Sequence, residues 1–405
     1  MTKVYSKALN EFIEIDRLIG EHRGEQPGPT LIFTAGIHGN EPAGIFALKD
    51  VFEKLQSKNI PFKGDMFAIA GNLSALEKGI RYNTADLNRM WDTQTVSTIK
   101  KGSDCSSEDE SREQKEIYDL IKTLIRNATG PLYFFDLHTT SSETIPFVTV
   151  NDSLLNRKFT QQYPVPMILG IEEFLDGPLL SYINELGYVA FGYEGGQHDS
   201  LASIHNHIAF IYLSIVFCGC LKRSQIEYQK NYDLLYKNSM RSQIIYEIIK
   251  RHEIKSEDHF VMEPGFTNFQ AIKKGQLLAK NNGNKVVASE SLQIFMPLYQ
   301  GKGNDGFFEI RNVPKVFLNL SAVLRTVRFD KLLPILPGVT WSNNKKEKLI
   351  VNLKIARFFS KQFFHLLGYR SKQIDSTHLR MKNREAASRN SDYKKAAWMN
   401  QVDMI

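Results

Sequence analysis

Cysteine is scarce in this chain: Cys105, Cys218 and Cys220 are the only three in 405 residues. An odd, sparse set argues against a disulfide framework and points to a reducing, cytoplasmic compartment. Cys218-Gly219-Cys220 is half of a metal-binding pattern, but no second cysteine pair exists, so buried thiols in a packed helix are the better expectation. Long apolar runs are also missing. The greasiest stretch, Ile208 to Leu221, falls short of the roughly 20 residues that cross a bilayer and reads as a buried helix. The first residues, MTKVYSKALNEF, contain no apolar core of signal-peptide type. No internal repeat is visible. Apolar content of 42% and charged content of 23% suit a soluble globular chain, and the length allows two domains with separate cores. The net charge of +7 lies largely in the segment after Gly368. A basic tail attracts anionic surfaces without specificity and gives no ground for specific nucleic-acid binding.

What is present is a series of short apolar runs. Leu31 to Ala35, Met66 to Ala70, Leu132 to Leu137, Pro146 to Val150 and Tyr188 to Phe191 read as strands. Helical segments separate several of them. One, Ser107 to Asn127, opens with Ser107 and Glu110 at capping-box spacing. Strands alternating with helices predict a mixed, mostly parallel α/β sheet flanked by helices. From about Tyr246, Gly, Pro and Asn punctuate shorter runs, and Asn282-Gly283 signals a hairpin, so 244–325 is expected to be a smaller β-domain. The expected organisation is a catalytic domain over 1–222, a connecting segment over 223–243, the β-domain over 244–325, an amphipathic helical extension over 326–369 and a basic, weakly ordered tail over 370–405. Within the extension, Leu349, Leu353, Ala356, Phe359, Phe363 and Leu367 fall near helical spacing with basic residues between them. A helix over 345–367 would dock on the body or lie on a membrane surface.

The chemistry is concentrated at the ends of these strands. His38 and Glu41 lie three residues apart after the first strand, at the start of a helix opened by Asn40-Glu41-Pro42. Asp136-Leu137-His138 ends the third strand. Ligands bind at the carboxyl ends of strands in such sheets. Two histidines and a carboxylate suit a catalytic zinc site, which keeps three protein ligands and one open position. A His-x-x-Glu pair alone is common by chance; its position and the distant histidine make it informative. Asp136, two residues before His138, shares its side of an extended strand, where it either orients that imidazole or serves the sheet structurally. Arg81 and the run Asp86-Leu87-Asn88-Arg89 offer guanidinium forks and an amide for an anionic substrate. Glu194 precedes two glycines after the fifth strand, where a carboxylate can act as general base and the glycines leave room for substrate. His205 and His207 lie in an apolar helical stretch without a partner carboxylate and are assigned to packing or surface roles.

These segments together resemble the succinylglutamate desuccinylase/aspartoacylase family, relatives of the zinc carboxypeptidases. The matching pieces are Ala35-Gly36-Ile37-His38-Gly39-Asn40-Glu41, Asn72-Leu73-Ser74-Ala75, Arg81-Tyr82, Asp86-Leu87-Asn88-Arg89, Asp136-Leu137-His138-Thr139-Thr140 and the Glu194-Gly195 turn. Their order and spacing fit from about residue 28 to 220. The resemblance implies one zinc ion per chain on His38, Glu41 and His138. It implies Glu194 as general base and then acid, Arg81 polarising the scissile carbonyl, and Asn88 with Arg89 holding a substrate carboxylate. Two features depart from the pattern. No arginine lies between Arg157 and Arg223, where the family places one before its general base. Phe307 or Phe308 falls near the family's second-domain tyrosine, with Tyr299 as a substitute.

The function expected is therefore metal-activated hydrolysis of the amide bond of a small N-acylated, carboxylate-bearing substrate; an ester would serve the same chemistry. The alternatives are a carboxypeptidase-like peptidase and a non-catalytic zinc-binding module docked at membranes through 345–367.

Overall fold

The computed structural model describes residues 1–58, 60–101, 109–342, 347–356, 361–373 and 377–400. Cys105 and Ser107 lie outside them. The chain opens with a hairpin, β1 (Thr2–Ser6) and β2 (Glu11–Ile15). The strands that follow are β3 (Leu18–Arg23), β4 (Gln26–Ala35), β5 (Lys63–Ala70), β6 (Leu132–Thr140), β7 (Phe147–Val150), β8 (Met167–Leu169) and β9 (Val189–Gln197). Their spatial order is β8-β7-β9-β6-β4-β5-β3. The central pairs β9–β6, β6–β4 and β4–β5 are parallel. β6 is buried along its whole length. A strand covered on both faces must read as a continuous apolar run, and Leu-Tyr-Phe-Phe does. Helices Ala43–Lys58 and Leu201–Phe217 cover one face of the sheet, with Asp109–Asn127 among those on the other.

The strands of the C-terminal β-rich part extend this sheet. β10 (Ile245–Glu253) pairs parallel with β8, and β16 (Asp305–Asn312), β15 (Leu292–Phe295) and β12 (Ala271–Ile272) follow antiparallel. A separate three-stranded sheet is formed by β11 (Phe260–Met262), β13 (Leu277–Asn281) and β14 (Asn284–Val287). Asn282 and Gly283 join β13 to β14 with φ of 52° and 78°, the left-handed pair that a two-residue hairpin turn requires.

Beyond residue 326 the structure corrects the sequence expectation. No continuous helix spans 345–367: Lys348–Asn352 is a strand (β18), and among the described residues of that range only Lys361–Leu366 is helical, Phe359 lying outside them. β18 joins β17 (Val339–Trp341), β19 (Tyr369–Gln373) and β20 (His378–Asn383) in an antiparallel sheet ordered β17-β18-β20-β19. Leu349 and Val351 alternate inward with Leu379 and Met381 in a core of its own. The physical reason is period: Leu349 and Val351 satisfy strand alternation, which overrides the weaker i, i+4 spacing.

Residues 390–400 are packed on the body as well. Tyr393 and Trp398 are fully buried. The Tyr393 hydroxyl donates to the Leu132 carbonyl and accepts from the Val189 amide at 3.0 Å. The Trp398 indole donates to the Tyr133 hydroxyl at 3.1 Å. The terminal segment thus seals the amino edge of β6 and β9, opposite the edge that carries the histidines. A buried charge cluster also ties the extension to the body. Arg325 binds Asp152 at 2.8 Å and Glu385 at 3.2 Å, while Arg384 binds Glu172 at 2.8 Å.

Candidate metal centre and cleft

β4 and β6 are adjacent and parallel, with Ala35 opposite Leu137. Their carboxyl ends therefore deliver His38 and His138 to one place. His138 lies inside β6 rather than past its end. Glu41 arrives from the turn before helix Ala43–Lys58. Gly39 permits this turn: a β-carbon there would sit 2.1 Å from the Ala75 backbone. All three side chains are buried, and their ligand atoms lie within 4.8 Å of one another.

The arrangement is directional. Nδ1 of His38 is 2.9 Å from Glu41 Oε1, and Nδ1 of His138 is 3.1 Å from Glu41 Oε2. The opposite ring nitrogens are held by other carboxylates: His38 Nε2 by Asp86 at 3.1 Å and His138 Nε2 by Asp136 at 2.8 Å. Asp136 is itself fixed by the Thr34 hydroxyl at 2.6 Å, its partner across the β4–β6 ladder. Burial acts to raise the Glu41 pKa, but the two imidazoles hold it well below the usual carboxylate range. Burial likewise opposes charge on His138, while Asp136 and Glu41 hold its pKa well above that of free histidine. Two imidazoles turned on one carboxylate, each anchored from behind, form the donor set that a divalent cation takes by displacing protons.

Glu194 stands directly opposite His138 in the β6–β9 ladder, inside β9 rather than after it. Burial pushes its pKa up to about 8, against the opposing charge of His138. Its Oε2 is buried with no hydrogen-bond partner among the described residues. Gly195 and Gly196 do not open space for a ligand as expected. A β-carbon on Gly195 would strike the His207 ring at 2.3 Å, and one on Gly196 would strike Ser203. His207 packs against Tyr193, donates to the Ser203 carbonyl at 2.7 Å, and burial lowers its pKa to about 4. It is a neutral packing residue, as expected. His198 bridges the Thr139 hydroxyl at 2.7 Å and Gln300 at 3.2 Å on the cleft wall.

Arg81 places Nη1 3.5 Å from Glu41 and Nη2 3.3 Å from Asp86. The loop that carries it is shaped by Glu110. That carboxylate accepts from the Thr84 hydroxyl at 2.7 Å, the Asn83 amide at 2.6 Å and the Asn72 side chain at 3.1 Å. Although burial opposes it, these bonds hold the Glu110 pKa down to about 2. Glu110 therefore organises a loop across the fold; the capping box expected with Ser107 lies outside the described residues. Asn88 accepts from the Leu179 amide at 3.0 Å through Oδ1, leaving its amino group for the cleft. Arg89 is paired: Asp305 of β16 binds it at 2.8 Å and Arg251 at 2.5 Å. That pairing spans 216 residues and no local motif announces it.

His38, Glu41, His138, Glu194, Arg81, Asn88 and Arg89 all line one cleft of about 130 Å³. Residues 296–298 and Gln300 form part of its far wall, and Phe308 lines it as well. Tyr299 does not supply the expected hydroxyl; it donates to the Glu263 carbonyl at 2.8 Å and accepts from the Phe266 amide.

A mostly parallel sheet with a His–Glu–His cluster at its carboxyl edge defines an α/β fold built around a candidate metal centre. Residues 27–202 match the sequence profile of the "Succinylglutamate desuccinylase/Aspartoacylase catalytic domain", so this segment of the chain is similar to that family's catalytic domain. It is similar to the succinylglutamate desuccinylase of Yersinia enterocolitica, with 40% identity over 62 residues. That match covers 15% of this chain and 19% of the relative, so the chain spans about a fifth of the curated relative's length. Among solved structures, it superimposes on a succinylglutamate desuccinylase/aspartoacylase from Rhodobacter sphaeroides at a TM-score of 0.53 and 14% identity, covering 72% of this chain and 88% of that one. The succinylglutamate desuccinylase of Vibrio cholerae gives 0.51 at 14% identity, covering 76% and 95%.

Proposed function

We propose that this chain is a zinc-dependent hydrolase that cleaves the amide bond of a small N-acylated, carboxylate-bearing substrate. What supports this function most is the convergence of His38, Glu41 and His138 in one buried cluster, at a cleft that also holds Glu194 and Arg81. The residues fit the metal, because both Nδ1 atoms face Glu41 and both Nε2 atoms are already engaged. His38, Glu41 and His138 would hold zinc, which supplies Lewis acidity to polarise a carbonyl and to lower the pKa of a water to about 7.

Glu194 takes the proton of the attacking water and returns it to the leaving nitrogen. Its buried, unpartnered Oε2 is suited to that transfer, because burial keeps the carboxylate more basic than in water. Arg81 directs its guanidinium to the oxyanion that develops on the substrate, an interaction worth roughly 3–4 kcal/mol for a well-placed donor. The Asn88 amino group and the free edge of Arg89 hold the substrate carboxylate. Arg89 has five N–H donors, so its bond to Asp305 leaves others available.

The relatives' name, succinylglutamate desuccinylase, supports an N-acylated amino acid as the substrate class. The free, buried Cys218 and Cys220 agree with a reducing compartment. Among the described residues, no helix is long and apolar enough to cross a membrane.

The test is hydrolysis of a panel of N-acetyl and N-succinyl amino acids beside short peptides and the matching esters, with wild type and Glu194→Gln. The expected result is turnover of N-acyl amino acids by wild type and its collapse in Glu194→Gln with zinc still bound. Full turnover by Glu194→Gln overturns the assigned base. Preference for peptides overturns the substrate class.

A further inference from the structure

Helix Lys315–Thr326 buries one face and carries an apolar stripe on the opposite, exposed one. Leu318, Ser321 and Arg325 are buried on the inner face. Val316, Leu320, Val323 and Val327, spaced four, three and four residues apart, form a stripe on the outer one, with Phe317 beside it. These five are exposed, Val316 by 75% and Val323 by 59%. The next turn continues the patch: Phe329, Leu332 and Ile335 are exposed, Ile335 by 78%. A helix that packs on a body and faces water should be polar outside. An exposed apolar patch of this extent marks an interaction site.

Along 315–335 the exposed charges have one sign, and Glu247, which shares a cavity with Phe317, is paired with Arg311 at 2.6 Å. Lys315, Arg328 and Lys331 are exposed within the patch. The single acidic residue from 313 to 342 is Asp330. It is buried, and accepts hydrogen bonds from the Tyr369 hydroxyl at 3.0 Å and Asn383 at 3.2 Å. Exposed apolar side chains among cations, without an exposed acid, complement a surface that is apolar below and anionic above. A second copy of this chain meets it badly, since a two-fold contact would bring the same cations together.

We propose that the face formed by 315–335 docks the protein on an anionic lipid surface. Val316, Phe317, Leu320 and Val323 enter the headgroup boundary, and Lys315, Arg328 and Lys331 engage lipid phosphates. Apolar burial and electrostatic attraction together hold such a surface where neither alone suffices. Each cation near an anionic leaflet contributes about a fivefold gain in partition, so three contribute roughly a hundredfold.

The test is co-sedimentation of the full chain with phosphatidylcholine vesicles and with vesicles that also contain phosphatidylglycerol, using wild type, Phe317→Ser/Val323→Ser and Lys315→Gln/Arg328→Gln/Lys331→Gln. Thermal unfolding checks that each variant folds. Wild type is expected to pellet with the anionic vesicles only, and both variants are expected to lose at least tenfold in partition. Failure of wild type to pellet, or equal pelleting by the folded variants, overturns the proposal. So does a sedimentation-velocity dimer that Phe317→Ser/Val323→Ser breaks, because the occupant is then a second copy.

Discussion

Asp86→Asn isolates one electrostatic contact behind the candidate metal centre. Asp86 Oδ1 lies 3.1 Å from His38 Nε2, and Oδ2 lies 3.3 Å from Arg81. Burial acts to raise its pKa, but His38, Arg81 and Arg89 hold it well below the usual carboxylate range, so it is an anion at neutral pH. The same Oδ1 accepts from the Asn88 amide at 2.9 Å, capping the turn Leu87–Arg89. Asparagine caps a turn as well as aspartate does, so the substitution removes the charge and keeps the turn. Loss of a carboxylate behind a ligating histidine costs about 10–100-fold in metal affinity, or roughly 1.4–2.8 kcal/mol. Asp86→Ala should show the same loss plus about 1 kcal/mol of stability from the missing cap. The assay is zinc competition against a chromophoric chelator, paired with kcat at saturating zinc and with denaturant unfolding of the metal-free protein. Zinc affinity of Asp86→Asn within twofold of wild type would refute the role given to Asp86. A stability loss in Asp86→Asn as large as that in Asp86→Ala would show that the charge, and not the cap, is what Asp86 contributes to stability.

Three further outcomes are expected. Glu194, raised by burial to about 8 and pulled down again by a bound cation, should give kcat/KM an acid limb with a midpoint above the ordinary 4.5; turnover falls as pH falls because the protonated base accepts nothing, and a profile still flat at 4.5 with zinc saturating contradicts this. Glu110→Gln should destabilise the fold at neutral pH, with the gap from wild type shrinking as pH falls from about 4.5 to about 2, since a depressed carboxylate stabilises above its unfolded pKa and loses that effect as it protonates; denaturant midpoints across pH measure it. Trp398→Ala should cost about 3–5 kcal/mol in denaturant unfolding, the usual range for a buried tryptophan, whereas a loss under about 1 kcal/mol would mean the terminal segment does not seal β6 and β9.

The meeting of His38, Glu41 and His138 was legible in the sequence because sheet geometry delivers it. His38 and His138 end neighbouring parallel runs, and Asp136 shares a side with His138 by simple alternation. Asp86 stood in a recognised run without a role, because its contact with His38 crosses 48 residues and follows no spacing rule. Arg89 looked like a free anion binder for the same reason: Asp305 reaches it from another part of the fold. Gly195 looked like substrate space, but His207 occupies that space from a helix whose packing angle a sequence does not state. The extension after 326 misled on period, since Leu349, Leu353 and Ala356 mimic a helix while Leu349 and Val351 build a strand. Its basic composition suggested looseness, yet Arg384 is spent on Glu172 and Trp398 on the core.

The most direct measurement is a zinc titration of the metal-stripped chain, read by hydrolysis of an N-acyl amino acid. Activity should be absent at the start, rise with added zinc and reach its plateau at one ion per chain, and His138→Ala should stay inactive throughout. Full turnover by the stripped protein, or a plateau that His138→Ala reaches equally well, would contradict the metal centre on which the proposed chemistry depends.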